Sequence, residues 1–360
     1  MKMNFNGKRI LRILFCIFCL AFFSIWVIDK KLLFSSNPSP DIWCFDEELT
    51  EPVPPDILPE MSDILPNNRP PIFFIETSCN SRLAGKIVLN SRQACAVESA
   101  AKMNPNSDIY VLMVAATTLN VSGDSTNDRI IQSLLSYRNI FFRHISLPNY
   151  TKNTLLEKLY QSKVLHYSIY AQSHTSDFLR YLTLWKYGGT YLDLDVVVIT
   201  QLEKIPQNYA GAEDDTDIAA GIINFDKDGM GHQLAEQCLL DLSSNYKPRE
   251  WGANGPGVIT RVLRRHCNAD VTIKMTRENC KNFQVFPESA FYTINWKNWK
   301  AFFNETASEE IMKLLHKSKV IHVWNKFSHE KKITIGSKQP YGLIAEQFCP
   351  KVYEQSGSYF

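Results

Sequence analysis

The sequence predicts an α/β domain built on a mostly parallel, doubly wound sheet, and three observations carry that prediction. From Ile72 onward, short β-type apolar runs alternate with amphipathic helical stretches, the pattern of strands joined by crossover helices. With 360 residues, 45% of them apolar and 12% aromatic, the chain can bury a sizeable core and is not disordered as a whole. Residues 176–198 then run a helix pattern through Gly188-Gly189 into a strand pattern, setting Asp193 and Asp195 two positions apart. The 39 basic and 37 acidic residues are spread along the chain and nearly cancel, so no basic stripe advertises nucleic acid.

In chain order, the first element is an uncharged apolar run at 13–28, preceded by Lys2, Lys8, Arg9 and Arg12. It is shorter than the roughly 20 residues of a typical spanning helix, but Ile10 and Leu11 extend it if Arg12 snorkels. The basic residues before it outnumber Lys30 and Lys31 after it, which directs the N-terminus to the cytoplasm and the body to the lumen. The competing reading is a cleaved signal peptide, with Ser35-Ser36 as small residues near a cut, but no clear small-x-small site directly follows the run. The expected organisation is a cytoplasmic tail at 1–12, a transmembrane signal anchor at 13–28, a stem at 29–71 and a lumenal catalytic domain at 72–360. Pro38, Pro40, Pro52, Pro54, Pro55, Pro59, Pro66, Pro70 and Pro71 interrupt any ladder in the stem, which reads as an extended spacer.

Cysteine usage suits an oxidising lumen: beyond Cys16 and Cys19 in the apolar run stand Cys44, Cys79, Cys95, Cys238, Cys267, Cys280 and Cys349, with no zinc-like spacing. Cys267 with Cys280, and Cys79 with Cys95, are near enough in sequence to close short loops. Cys44 is then left free or bridging two chains. The sequons at Asn120, Asn149 and Asn304 are compatible with lumenal glycosylation.

Within the domain, 72–76 reads as a buried first strand, 93–103 as a helix stopped at Asn104-Pro105, and 109–115 as the second strand. A second helix is expected at 128–135 and a short strand at 140–142. Ser176 is placed to cap a helix carrying Phe178, Tyr181, Leu182 and Trp185 at helical spacing, and Gly188 to end it in the left-handed conformation. A strand at 190–194 would then project Asp193 and Asp195 to the same side. No apolar core tolerates two unpaired carboxylates there, and hard oxygen ligands select Mg²⁺ or Mn²⁺ completed by substrate phosphates. At the edge of a doubly wound sheet, a nucleotide diphosphate is the expected partner. An Asp-x-Asp alone is a weak signal, but Tyr191, Leu192, Leu194 and the Val196-Val197-Val198 run give it a buried context.

A haloacid-dehalogenase-type phosphatase also uses Asp-x-Asp after an apolar strand. That motif opens its domain, however, whereas here a long α/β pattern precedes Asp193. The assembled motif, Ser176-Asp177…Arg180…Trp185-Lys-Tyr-Gly-Gly-x-Tyr-Leu-Asp-x-Asp195, instead resembles the signature of Asp-x-Asp sugar transferases with a GT-A (Rossmann-like) fold. More narrowly it resembles the α-1,4-glycosyltransferases, through Phe73-Phe-Ile-Glu-Thr-Ser78, Cys95-Ala-Val-Glu-Ser-Ala-Ala101, Trp251-Gly-Ala-Asn-Gly-Pro256, Phe291-Tyr292, Trp296-Lys-Asn-Trp299 and His322-Val-Trp-Asn-Lys326. Among these, invertebrate α-1,4-N-acetylgalactosaminyltransferases are the nearest expected kin.

The resemblance implies a retaining hexosyltransferase of the Golgi, single-pass type II, using UDP-GalNAc or UDP-Gal, Mn²⁺ and a glycosphingolipid or related glycan acceptor, alone or in a homo- or hetero-oligomer in the membrane. It implies that Asp193 and Asp195 hold the metal, with His322 as third ligand and Trp324 near the diphosphate. Asp177, Arg180 and Tyr191 would serve the donor, Glu76, Thr77 and Ser78 the uridine, and Asn254 and Gly255 the sugar or acceptor. Ala220-Gly221 departs from the Asn-Gly or Asn-Ala pair of related retaining enzymes, which leaves donor contacts there open. No member of the acidic group Glu213, Asp214, Asp215 and Asp217 is singled out as nucleophile. The Phe291-Tyr292 and Trp296…Trp299 aromatics read either as acceptor platforms or as core. A lumenal phosphohydrolase with Asp193 as nucleophile, or a non-enzymatic lumenal partner or chaperone, are the other readings.

Overall fold

Pro71–Glu76 forms strand β1, and its alternation divides the interior: Ile72 and Phe74 enter one apolar core, Phe73 and Ile75 the other. The computed structural model describes residues 38–45, 56–61 and 69–360. Helix α1, Ser91–Met103, begins two residues ahead of expectation because Asn90 and Gln93 form a reciprocal capping box. Strand β2 is Asp108–Met113, helix α2 is Thr126–Leu135 and strand β3 is Ile140–His144. Helix α3, Ala171–Tyr187, leads into β4, Gly189–Leu192, and then β5, Val196–Val198. Strands β6, Tyr209–Ala212, and β7, Ile218–Phe225, form a hairpin followed by helices α4, Gly229–Asn245, and α5, Pro256–Cys267. Strand β8 is Gln284–Phe286, β9 is Val320–His322, and helices α6, Pro340–Phe348, and α7, Pro350–Gln355, close the chain.

Among the described residues, the main sheet has seven strands in the order β3-β2-β1-β4-β7-β6-β8. Strands β3, β2, β1 and β4 run parallel, and β7 enters antiparallel between β4 and β6. The expected GT-A-like α/β architecture is therefore present. A separate antiparallel ribbon pairs β5 with β9, setting Val196 opposite His322. This ribbon brings a distant segment beside the Asp-x-Asp.

Several local expectations change. Ser176 caps nothing: α3 starts at Ala171 after Tyr170, which makes no side-chain cap. Gly188 has the expected positive φ of 63°, but its ψ of −159° is not the left-handed helical value. It is required sterically as well, since a Cβ there would sit 2.6 Å from the backbone N of Lys227. Strand β4 ends at Leu192, so Asp193 and Asp195 occupy the turn between β4 and β5 rather than one face of a strand. The spacer expectation also fails in part. Residues 40–45 form a 3₁₀ turn with Ile42, Cys44 and Phe45 buried against the domain, and Leu58 and Met61 are buried too. The packed body therefore includes segments ahead of residue 72.

Among the described residues the disulfides are Cys44–Cys79, Cys95–Cys349 and Cys267–Cys280. The short Cys267–Cys280 loop is as expected, whereas Cys79 pairs with Cys44 and Cys95 with a partner 254 residues away. Among the described residues the free thiol is Cys238, which is buried, and not Cys44. The expected anchor at 13–28 lies outside the described residues, among which no helix is long and apolar enough to cross a membrane.

Candidate active site

A cavity of about 740 Å³ opens at the carboxyl ends of the parallel strands, with a smaller lobe of about 190 Å³ beside it. The two lobes share a wall made of Thr77, Gln172, Ser176, Asp193, Asp195 and Asn325. Glu76, Gln93 and Leu194 line only the small lobe; Asp177, Arg180, Glu213, Tyr292, Trp251 and Trp296 line only the large one.

Asp193 and Asp195 stand on that shared wall because the turn is tied on both sides. The Asp193 N–H donates to the Gly221 carbonyl of β7 at 2.9 Å, and the Val323 N–H donates to the Asp195 carbonyl at 3.0 Å. His322, brought by the β5–β9 ribbon, places Nε2 3.3 Å from Asp195 Oδ1 and 3.8 Å from Asp193 Oδ2. One ligand atom from each of the three residues lies within 4.8 Å of the others. Two hard carboxylate oxygens and an imidazole nitrogen make a coherent donor set for a divalent cation. Gly221 keeps the cradle open: a Cβ there would lie 3.0 Å from Asp193 Oδ2 and 3.2 Å from His322 Nε2. The apparent departure at Ala220-Gly221 thus has a steric use.

Charge is shared unevenly among these groups. Arg180 Nη2 lies 3.0 Å from Asp177 and 3.4 Å from Asp193, its Nη1 donates to the Ala220 carbonyl at 2.6 Å, and its guanidinium lies over the Tyr191 ring. One guanidinium does not neutralise both acids. Burial opposes ionisation of Asp193, but Arg180, His322 and the 2.6 Å hydrogen bond from Tyr191 outweigh it and hold the group at about 2. Asp177, buried and repelled by Asp193, rises to about 7 despite Arg180. Burial and Asp193 also push Asp195 up, against the pull of His322. For His322, burial alone would lower the imidazole, but Asp195 and Asp193 raise it.

The sequence-expected residues divide. Glu76 is buried, accepting from the Ser78 N–H at 2.6 Å and from Gln93, and burial raises its carboxyl. Thr77 lines the cavity, whereas Ser78 lines neither lobe. Asp177 and Arg180 pair with each other one helical turn apart and also face the cavity. Asn254 does not: its amide is turned to the Lys247 backbone, donating to the carbonyl and accepting from the N–H, both at 2.8 Å. Gly255 matters as backbone, its carbonyl accepting from Tyr181 at 2.6 Å. Trp324 lines the cavity in a left-handed conformation, φ 54°, with Nε1 bonded to the Ile294 carbonyl, a strained geometry common at functional sites. Phe291 and Trp299 are packing residues, while Tyr292 and Trp296 line the cavity. Of the acidic group, Glu213 alone faces the cavity, its carboxyl raised by burial. The sequence had not singled out Glu213, and it gave no separate role to Lys326, which also lines the cavity. The sequon residues Asn120, Asn149 and Asn304 are all exposed.

Residues 227–356 match the family model "Alpha 1,4-glycosyltransferase conserved region", and residues 90–212 match "Glycosyltransferase sugar-binding region containing DXD motif". The chain is 31% identical over 289 residues to lactosylceramide 4-alpha-galactosyltransferase of Mus musculus, covering 80% of this chain and 76% of that protein. To the Homo sapiens protein of the same name it is 30% identical over 315 residues, with coverages of 86% and 82%. It is 25% identical over 299 residues to alpha-1,4-N-acetylglucosaminyltransferase of Homo sapiens, with coverages of 81% and 82%. Among solved structures it is similar to a galactosyltransferase, LgtC, at a TM-score of 0.38 and 13% identity, over 79% of this chain and 95% of that one, a superposition too loose to bear on the site.

Proposed function

The chain belongs to the α-1,4-glycosyltransferase family, and from that premise we propose that it transfers GalNAc or Gal from a UDP-sugar, with retention, to a glycosphingolipid or related glycan. The observation that carries this reading is the Asp193, Asp195 and His322 cluster on the wall shared by both lobes. A diphosphate held by that cluster would lie between a nucleoside in the small lobe and a sugar in the large one.

A divalent ion, Mn²⁺ in our reading, would be held by those three residues and would offset negative charge on the departing diphosphate. The rest falls to the chain. Glu76 and Thr77 border the nucleoside space. Arg180, fixed by Asp177 and the Ala220 carbonyl, orients Asp193 and presents charge to the donor sugar. Tyr292 carries a buried hydroxyl with no hydrogen-bond partner among the described residues and offers it to the sugar. The acceptor oxygen bonds to the anomeric carbon as the bond from that carbon to the diphosphate breaks, and a phosphate oxygen on the same face takes the acceptor proton, giving retention.

The disulfides and the basic flank of the 13–28 run support a single-pass type II Golgi enzyme with a lumenal domain. A panel of UDP-sugars offered to the full-length protein with lactosylceramide, with and without EDTA, tests the whole. Metal-dependent α-1,4 transfer from UDP-GalNAc or UDP-Gal is expected. Phosphate release without glycan product, or nucleotide binding without turnover, would reject it in favour of a phosphohydrolase or a non-enzymatic partner.

A further inference from the structure

The mouth of the large lobe carries a cluster that the transfer chemistry does not use. Lys326 sets its ammonium 3.2 Å from the centroid of the Trp251 ring, and it also lies 5.9 Å from the Tyr170 ring and 6.0 Å from the Phe327 ring. Trp296 stacks on Phe327 with centroids 5.7 Å apart. Trp251, Trp296 and Phe327 are each 40% exposed, although large apolar rings ordinarily bury. They come from three separate segments of the chain, and all line the large lobe only. Clustered exposed aromatics at a cavity mouth mark a binding surface rather than leftover core.

The placement decides what binds. The nucleoside space lies beyond the Asp193–Asp195 wall in the small lobe, so these rings flank the side from which the second substrate must enter. A pyranose presents a face of C–H groups to stack on an indole and a rim of hydroxyls to meet a donor such as an ammonium. We infer that Trp251 and Trp296, with Lys326 between them, form the acceptor subsite and grip the terminal hexose of a glycan. This inference rests on the transferase reading above. In the free protein Lys326 covers the Trp251 face. An incoming sugar ring takes that place, and the lysine turns its N–H groups to the sugar hydroxyls. With no carboxylate recorded beside it among the described residues, Lys326 is released by giving up only cation–π contacts, worth about 0.5–1 kcal/mol at an exposed site.

The test uses the full-length protein in detergent, with UDP and Mn²⁺ present, titrated with lactose and followed by tryptophan fluorescence, alongside steady-state kinetics. Lactose is expected to change the emission of the wild type but not of Trp251→Ala. The acceptor KM of Trp251→Ala is expected to rise by about tenfold or more, with the donor KM held and Trp251→Phe restoring most of the loss. Donor and acceptor KM rising together, Phe performing no better than Ala, or wild-type emission indifferent to lactose would each overturn the subsite. A wild type that consumes no UDP-sugar refutes the transferase reading instead, and the lactose response still judges the subsite separately.

Discussion

The N–H of Asn325 donates a 2.7 Å hydrogen bond to Oδ2 of Asp195, while the other oxygen of that carboxylate faces His322 at 3.3 Å. One oxygen is thus spent on holding the loop after β9 and the other is free for a cation. Asp195→Asn keeps an acceptor for Asn325 but removes the charge that a metal needs. Turnover should fall by at least about 10²-fold and Mn²⁺ should cease to activate, while the thermal midpoint holds because the repulsion with Asp193 is relieved. Wild-type turnover in this variant, measured across a Mn²⁺ titration, would remove the metal-site reading.

Gly221→Ala probes the cradle without touching a ligand. The added methyl would sit 3.0 Å from Asp193 Oδ2, 3.1 Å from His322 Cδ2 and 3.2 Å from His322 Nε2, so the ligand atoms must spread by a few tenths of an ångström. The half-activating Mn²⁺ concentration should rise by about tenfold, a cost near 1.4 kcal/mol, with a far smaller change in melting temperature. An unchanged metal requirement would show that the ligands tolerate the shift.

What the sequence made legible follows how local each determinant is. Strands β1 and β2 and helices α1 and α2 lay in short-range periodicity, so their positions emerged within a few residues, although the Asn90–Gln93 cap that starts α1 went unread. The start of α3 did not, because Tyr170 offers no side-chain cap and Ser176 imitates one. The Asp-x-Asp was found by residue type although its expected strand geometry was wrong; convergence comes from the pairing of β5 with β9, which no local pattern encodes. Glu213 was indistinguishable from Asp214, Asp215 and Asp217 until the β6–β7 hairpin turned it alone into the cavity. Cys349 was invisible as the partner of Cys95 for the same reason of distance along the chain.

That long-range bridge should dominate covalent stability. Cys95–Cys349 fastens the end of the chain to α1, beside Glu98, whose carboxylate accepts from the N–H groups of Lys351 at 3.1 Å and Val352 at 2.8 Å. It spans 254 residues, against 13 for Cys267–Cys280. Loop-closure entropy then makes Cys349→Ser the costlier change, at about 5.5 kcal/mol against about 3 for Cys280→Ser. Thermal unfolding of the two variants side by side checks the order, and equal losses would mean that chain entropy is not the controlling quantity.

Acid sensitivity should trace in part to His174, one turn ahead of Asp177 on α3. Its ring is enclosed edge-on by Tyr170 and Tyr246, Nδ1 lies 2.6 Å from Ser168 Oγ, and Nε2 is buried with no hydrogen-bond partner among the described residues. Burial outweighs the opposing backbone of Glu250 and Trp251 and lowers the imidazole to about 4. An unfolded histidine titrates near about 6.5. Between those values the unfolded chain binds the extra proton, so stability rises with pH across the window. The contribution is complete above the upper value and is lost as pH falls toward the lower one. His174→Gln, which does not titrate, should therefore show a flatter melting temperature against pH between about 4 and 6.5, whatever its absolute stability. Asp177, raised to about 7 chiefly by burial, bends the curve in the opposite sense across the same window, so the difference between variant and wild type is the quantity to read. Parallel curves for the two proteins would mean that His174 carries the same charge folded and unfolded.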